Sequence, residues 1–162
     1  MTIRRATSAD LDGIMALETA SFPTDAWSAQ TMATELTSVH NHYIVDEEDG
    51  RVVGYAGVRA PAGAKDADVQ TIALDPAVRG RGRGRRMLHV LFDAARERGA
   101  EEVFLEVRAD NPIAQGLYVS EGFVEIARRP RYYQPDDVDA IVMRAAVPSS
   151  RDDLRKADDA HA

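Results

Sequence analysis

The chain has 162 residues, 44% of them hydrophobic and 29% charged, enough for one core and too few for two comfortable domains. It has no cysteine, which excludes disulfides and thiolate chemistry, and a net charge of -7, whose mean field opposes general binding to nucleic acid. No stretch approaches the roughly 20 apolar residues that span a bilayer, and Met1 to Arg5 lack the apolar core of a signal peptide, so a cytoplasmic protein with no membrane partner is expected.

Thr2–Arg5 reads as a short strand, and Thr7 with Asp10 as a capping pair before a helix whose apolar face holds Leu11, Ile14, Met15 and Leu17 or Glu18. Pro23 disfavours helical backbone at Phe22, so the helix stops near Ser21. Ser28 fits as the N-cap of a second helix with Met32, Ala33 and Leu36 facing inward. Between the two, Phe22 and Trp27 stand on a loop, where an aromatic pair either clamps onto the core or walls a substrate groove. His42–Val45 and Arg51–Val58 predict an antiparallel hairpin around the acidic turn Asp46–Gly50, and Asp68–Leu74 adds a further antiparallel strand.

The next stretch, Arg79-Gly80-Arg81-Gly82-Arg83-Gly84, runs into a helical pattern with Met87, Leu88, Leu91, Phe92 and Ala95 on one face and Gly99 at its C-terminal end. Alternate glycines clear side chains from the backbone, and a helix N-terminus offers unpaired N–H groups with partial positive charge, so the segment predicts a pyrophosphate cradle. It is not a Walker loop, since no Lys and hydroxyl residue follow Gly84, and its third glycine falls one residue early for a Rossmann fingerprint. Arg-Gly repeats also occur in disordered nucleic-acid-binding segments, but those sit in longer low-complexity sequence, and this one is wedged between an apolar strand and an amphipathic helix.

Glu102–Arg108 alternates, with Phe104, Glu106 and Arg108 on one face, and a carboxylate in mid-strand calls for a reason. Asn111-Pro112 opens a helix carrying Ile113, Leu117 and Tyr118. Val124–Ala127 and Ala140–Met143 close the pattern as two strands linked by Arg128–Asp139, which includes Tyr132 and Tyr133. The order of elements fits an α+β or α/β domain with one mixed sheet. From Val147 the chain is polar, and a disordered or loosely helical tail is expected over 147–162. The histidines at 40, 42, 89 and 161 show no ligand spacing with carboxylates, so no metal is predicted.

Arg79-x-x-Gly82-x-Gly84 resembles the coenzyme A signature of the GNAT superfamily of N-acetyltransferases. Ile72-Ala73-Leu74-Asp75-Pro76 before it, Leu105-Glu106-Val107-Arg108-x-x-Asn111 after it, then Leu117-Tyr118 and Gly122-Phe123, keep the order and spacing of that superfamily. Phe22-Pro23, Trp27-Ser28 and Tyr132-Tyr133 ahead of Asp139-Ala140-Ile141 look like its RimI type, which acetylates ribosomal-protein N-termini. The resemblance implies a GNAT-like fold over residues 1–146, with one mixed, mostly antiparallel sheet of about seven strands flanked by about four helices. Two departures are visible: Arg83 stands where the family usually has an apolar residue, and Thr24-Asp25-Ala26 lengthens the first loop.

The same resemblance implies acetyl-CoA as co-substrate. Its acetyl and pantetheine arm would lie along the backbone of Ile72, Ala73 and Leu74, its pyrophosphate in the loop of Arg79, Gly80, Arg81, Gly82, Arg83 and Gly84 with Arg85, and Asn111 would contact it or serve as a plain N-cap. Glu106 is the candidate general base and Tyr118 the candidate general acid, also touching the cofactor. For each the bland alternative is stated: Glu106 paired with an arginine such as Arg108 or Arg131, and Tyr118 merely packed in the core. Phe22, Trp27, Glu106, Tyr132 and Tyr133 would meet the acceptor, a protein or peptide N-terminus of the ribosomal-protein type, in a monomer or weak dimer with no direct nucleic-acid binding. A lysine or small-molecule amine as acceptor, and a coenzyme A-binding module without catalysis, are the competing readings.

Overall fold

The computed structural model describes residues 2–148. Along them run β1 (Thr2–Arg5), α1 (Leu11–Ser21), α2 (Ala29–Thr37), β2 (Asn41–Glu48), β3 (Arg51–Arg59), β4 (Asp66–Leu74), α3 (Arg83–Glu97), β5 (Glu102–Arg108), α4 (Pro112–Ser120), β6 (Val124–Tyr133) and β7 (Val138–Ala146). The strands form one seven-stranded sheet in the order β1-β2-β3-β4-β5-β7-β6, antiparallel except where β4 meets β5. This is the mixed α/β architecture expected from the sequence.

Period-two alternation sends the strand side chains to two cores. Ala56, Val58, Leu105 and Val107 join Met87, Leu88, Leu91 and Phe92 of α3 on one face, while Tyr43, Val45, Tyr55 and Ala73 join Ile14, Leu17 and Met32 of α1 and α2 on the other. Each large side chain removed from water on α3 contributes about 1.5–3 kcal/mol, which fixes that helix against the sheet. Its C-terminus follows expectation: Arg98 is the last αR residue and Gly99 takes a left-handed φ of 97° just beyond it.

The feature that positions the site is a splay in mid-sheet. β4 and β5 pair only at Asp66–Glu102, Ala67–Val103 and Asp68–Phe104. Beyond that point β4 continues along β3 as far as Leu74, and β5 along β7 as far as Arg108, so a gap opens between them.

Three boundaries differ from expectation. The hairpin between β2 and β3 turns on two residues rather than five: Glu48 pairs Arg51, and Asp49 and Gly50 take φ of 52° and 75°, a pair that suits the twist of the flanking strands. Most of the predicted linker Arg128–Asp139 is strand, since β6 runs to Tyr133 and β7 begins at Val138. Its charged, exposed side chains hide the alternation that would have announced it. Val147 still belongs to the sheet layer, donating its N–H to the Glu101 carbonyl at 2.8 Å and packing on the core, so the expected tail begins later; residues 149–162 lie outside those described.

Candidate active site

A cleft of about 1390 Å³ fills the splay, lined along β4 by Val69 to Leu74 and along β5 by Phe104 to Arg108. Ile72, Ala73 and Leu74 pair with β3 on one side and border the cleft on the other, which leaves part of their main chain for a ligand that can add as a strand. At the mouth, Gly80 and Gly82 take left-handed φ of 78° and 75°, and Gly82 caps α3 without a capping side chain. No protein group among the described residues accepts from the N–H groups of Gly80 to Arg85, the first free donors of α3 included. Six consecutive unclaimed donors at the positive end of a helix fit a pyrophosphate.

The arginines of this loop divide in a way the sequence does not reveal. The Arg79 Nε donates to the Leu74 carbonyl at 3.1 Å and lines the cleft rim. Arg81 is exposed and lies outside the residues that line the cleft. The Arg83 side chain turns inward, 6% exposed, to Glu48 at 3.1 Å and the fully buried Asp46 at 3.5 Å, leaving only its main chain for a phosphate. The Arg85 guanidinium pairs with buried Glu121, which also meets His89 Nε2 at 2.7 Å. Burial alone would raise the Glu121 pKa, but the His89 hydrogen bond and the Arg85 charge win and hold it below the ordinary value. Glu121 thus fixes Arg85 beneath the loop.

Glu106 stands in mid-β5 at the cleft, its side chain 30% exposed and 3.4 Å from the Arg129 guanidinium, so its cation is neither Arg108 nor Arg131. Arg129 in turn lies over the Tyr132 ring at 5.3 Å. Tyr118 on α4 is 5% exposed, set edge-on against Phe123 at 5.7 Å, and still lines the cleft. Burial raises its pKa, so the phenol keeps its proton through the neutral range. Asn111 is the N-cap foreseen for it, its Oδ1 accepting the Ala114 N–H at 3.2 Å, and the residue also lines the cleft.

Phe22 and Trp27 likewise combine two roles, packing on the α1–α2 core and walling the cleft. Tyr132 and Tyr133 wall it from the β6–β7 hairpin, and burial with the nearby Glu106 charge pushes the Tyr133 phenol up to about 12. The lengthened first loop reaches that hairpin: Thr24 Oγ1 donates to Asp136 at 2.8 Å, and Arg108 bridges Asp136 at 3.0 Å and Asp25 at 3.6 Å beneath the Tyr133 ring. These bridges roof that end of the cleft. Sequence reasoning missed these bridges, and it missed Glu18, which lines the cleft with 3% of its surface exposed. The signal for Glu18 was an acid next to Leu17 and one turn past Ile14, both core positions.

Comparison with known proteins agrees with this geometry. The model of the acetyltransferase (GNAT) family matches residues 11–123. N-alpha-acetyltransferase RimI of Mycobacterium tuberculosis is 42% identical over 149 residues, covering 89% of this chain and 91% of that one. The ribosomal protein bS18-alanine N-acetyltransferase of Escherichia coli is 33% identical over 123 residues, 75% of this chain and 81% of its own. The crystal structure of the Escherichia coli ribosomal-protein-S18-alanine N-acetyltransferase superposes with a TM-score of 0.79 at 29% identity, over 92% of this chain and 95% of that one. The chain belongs to the GNAT acetyltransferase family and is an acetyl-CoA-dependent N-acetyltransferase of the RimI-like kind.

Proposed function

We propose that the protein acetylates the N-terminal α-amino group of a protein or peptide, of the ribosomal-protein type, with Glu106 as general base and Tyr118 as general acid. The observation that carries this reading is the roofed cleft: Glu106 lies inside a splay bounded by Phe22, Trp27, Tyr132 and Tyr133, across which Thr24 and Arg108 tie the first loop to Asp136. A chain end can thread such a passage, and the names of the Mycobacterium tuberculosis and Escherichia coli relatives support the same acceptor class.

Acetyl-CoA, when bound, supplies an acetyl group activated as a thioester. The N–H groups of Gly80 to Arg85, with Arg79, are suited to its pyrophosphate, and Ile72, Ala73 and Leu74 to its amide-bearing arm. An α-amino group has a pKa of about 8, so a modest base suffices near neutral pH. Glu106 takes the amine proton, directly or through a water, and the Tyr118 O–H donates to the departing sulfur. The C–N bond that forms replaces the C–S bond that breaks, with one proton accepted and one given.

Mass spectrometry of a panel containing alanyl peptides, internal-lysine peptides and small amines tests the acceptor. Acetylation at the peptide α-nitrogen is expected; transfer confined to lysine side chains or small amines would overturn the acceptor class. Glu106→Gln tests the base. Calorimetry is expected to return unchanged acetyl-CoA affinity while kcat falls roughly 100- to 10,000-fold, the range for losing a general base; a variant with wild-type turnover would remove Glu106 from the chemistry.

A further inference from the structure

Glu18 is a carboxylate buried without a cation. It projects from α1 with 3% of its surface exposed, and among the described residues no Arg, Lys or His pairs with it. Its one hydrogen-bond partner among the described residues is a neutral donor, the Tyr55 O–H at 2.8 Å from Oε2. Taking a carboxylate out of water in this way is costly unless a counter-charge joins it, and one neutral hydrogen bond offsets only part of that cost.

The place where a counter-charge could arrive is the cleft. Glu18 lines it between Phe22 and Trp27, against the core that holds Tyr55 and Ala73. On β5, Leu105 and Val107 turn to the α3 side, so Glu106, between them, faces the α1 side where Glu18 stands. Both carboxylates therefore border the acceptor half of the cleft.

We propose that Glu18 binds the ammonium group of the incoming acceptor, which supplies the cation that the folded chain withholds. The inference rests on the reading that the acceptor is a primary amine, cationic until it is deprotonated. A carboxylate has about four lone-pair sites; Tyr55 engages part of that capacity and fixes the orientation, and the remainder serves the ligand. The two acids then divide the work. Glu18 captures and orients the amine, and Glu106, partly exposed and balanced by Arg129, takes the proton on toward solvent.

Glu18→Gln keeps the shape and the capacity to accept from Tyr55 but removes the charge. Measured with whichever amine of the panel turns over best, its acceptor KM is expected to rise roughly 10- to 100-fold, the loss typical of a charge-assisted hydrogen bond. The KM for acetyl-CoA is expected to stay the same and the melting temperature not to fall, because an unpaired buried charge has been removed. Tyr55→Phe keeps the carboxylate and is expected to raise the acceptor KM less. An acceptor KM within about twofold of wild type overturns the proposal. So does a parallel rise in both KM values with a lower melting temperature, which would make Glu18 a strap for the Trp27 loop. Transfer to lysines instead of α-amines would sink the peptide reading and leave this one to the Glu18→Gln result; failure of every amine would sink both.

Discussion

Asp10 and Glu18 sit eight residues apart on the same segment and carry opposite electrostatic consequences. Asp10 accepts both ends of the Arg4 guanidinium, at 2.8 and 2.9 Å, and the Thr7 N–H at 2.8 Å. The Arg4 hydrogen bonds outweigh burial and hold its carboxyl below the usual range. A carboxyl whose pKa is lower in the folded than in the unfolded chain contributes stability above the unfolded pKa, and that stability is lost as pH falls through the folded one. Asp10→Asn is therefore expected to unfold at lower urea at pH 7, by about 1–2 kcal/mol after allowing for the partly exposed Arg4, with the gap to wild type closing below about pH 4; a constant gap across that range would refute the assignment. For Glu18, burial dominates and raises the pKa. Stability from that group is present below the ordinary glutamate value and declines as pH rises through the raised one, so wild type is expected to lose ground to Glu18→Gln on going from acid to neutral pH. Of these residues the sequence makes Glu106 and Asp10 legible, one by strand alternation and the other by the spacing of a cap. Glu18 is legible only in part: helical periodicity puts it with Leu17 at the apolar face of α1, and only packing reveals that Tyr55 covers it and that it lines the cleft.

At the scale of elements, α3 and the loop before it test whether main chain or side chain grips the cofactor. Gly80 and Gly82 have open space where a Cβ would stand, but their φ values lie in the left-handed region, which costs an alanine about 1–2 kcal/mol. Gly84 differs: it lies inside α3, and a Cβ there would meet Leu117 and Leu74 at ordinary distances of 3.5 and 3.6 Å. Gly84→Ala is thus expected to keep or raise the melting temperature, since alanine favours a helix by about 0.5–1 kcal/mol. It is also expected to weaken acetyl-CoA binding by calorimetry, because the methyl group would intrude where bare backbone meets phosphate. Unchanged affinity would transfer the grip to the arginines. The helices were legible from their apolar periodicity and caps: Ser28 and Asn111 both accept the N–H three residues on. The start of β6 at Val124–Ala127 is legible too, but its second half is not, because Arg128–Tyr133 lies at the sheet edge, charged and largely exposed without polar–apolar alternation, and Pro130 reads as a break. The inward turn of Arg83 was equally hidden, since its acids Asp46 and Glu48 belong to a strand whose sequence had been read as turn.

Taken whole, the molecule is two half-sheets, β1–β4 and β5–β7, joined by the few pairs from Asp66 to Asp68 and by α3. The cleft occupies the open end of that joint, so a ligand seated in it would add contacts to both halves where β4 and β5 no longer pair. Stabilisation by a ligand that binds only the folded chain follows its concentration, about 2.7 kcal/mol at 100 times Kd. Its distribution is the informative part. Coenzyme A is expected to slow amide exchange most along β4 from Val69 to Leu74 and at the start of α3, where the N–H groups of Arg83 to Arg85 have no protein acceptor among the described residues. The β1–β2 pairing lies two strands away and is expected to change little. Glu106→Gln should give the same map, because the base we propose is not part of the grip, whereas Gly84→Ala should lose protection at the α3 turn first. Protection spread evenly over all seven strands would mean that the cofactor acts on global stability alone, and the splay would then be a feature of the sheet without being the seat of the ligand.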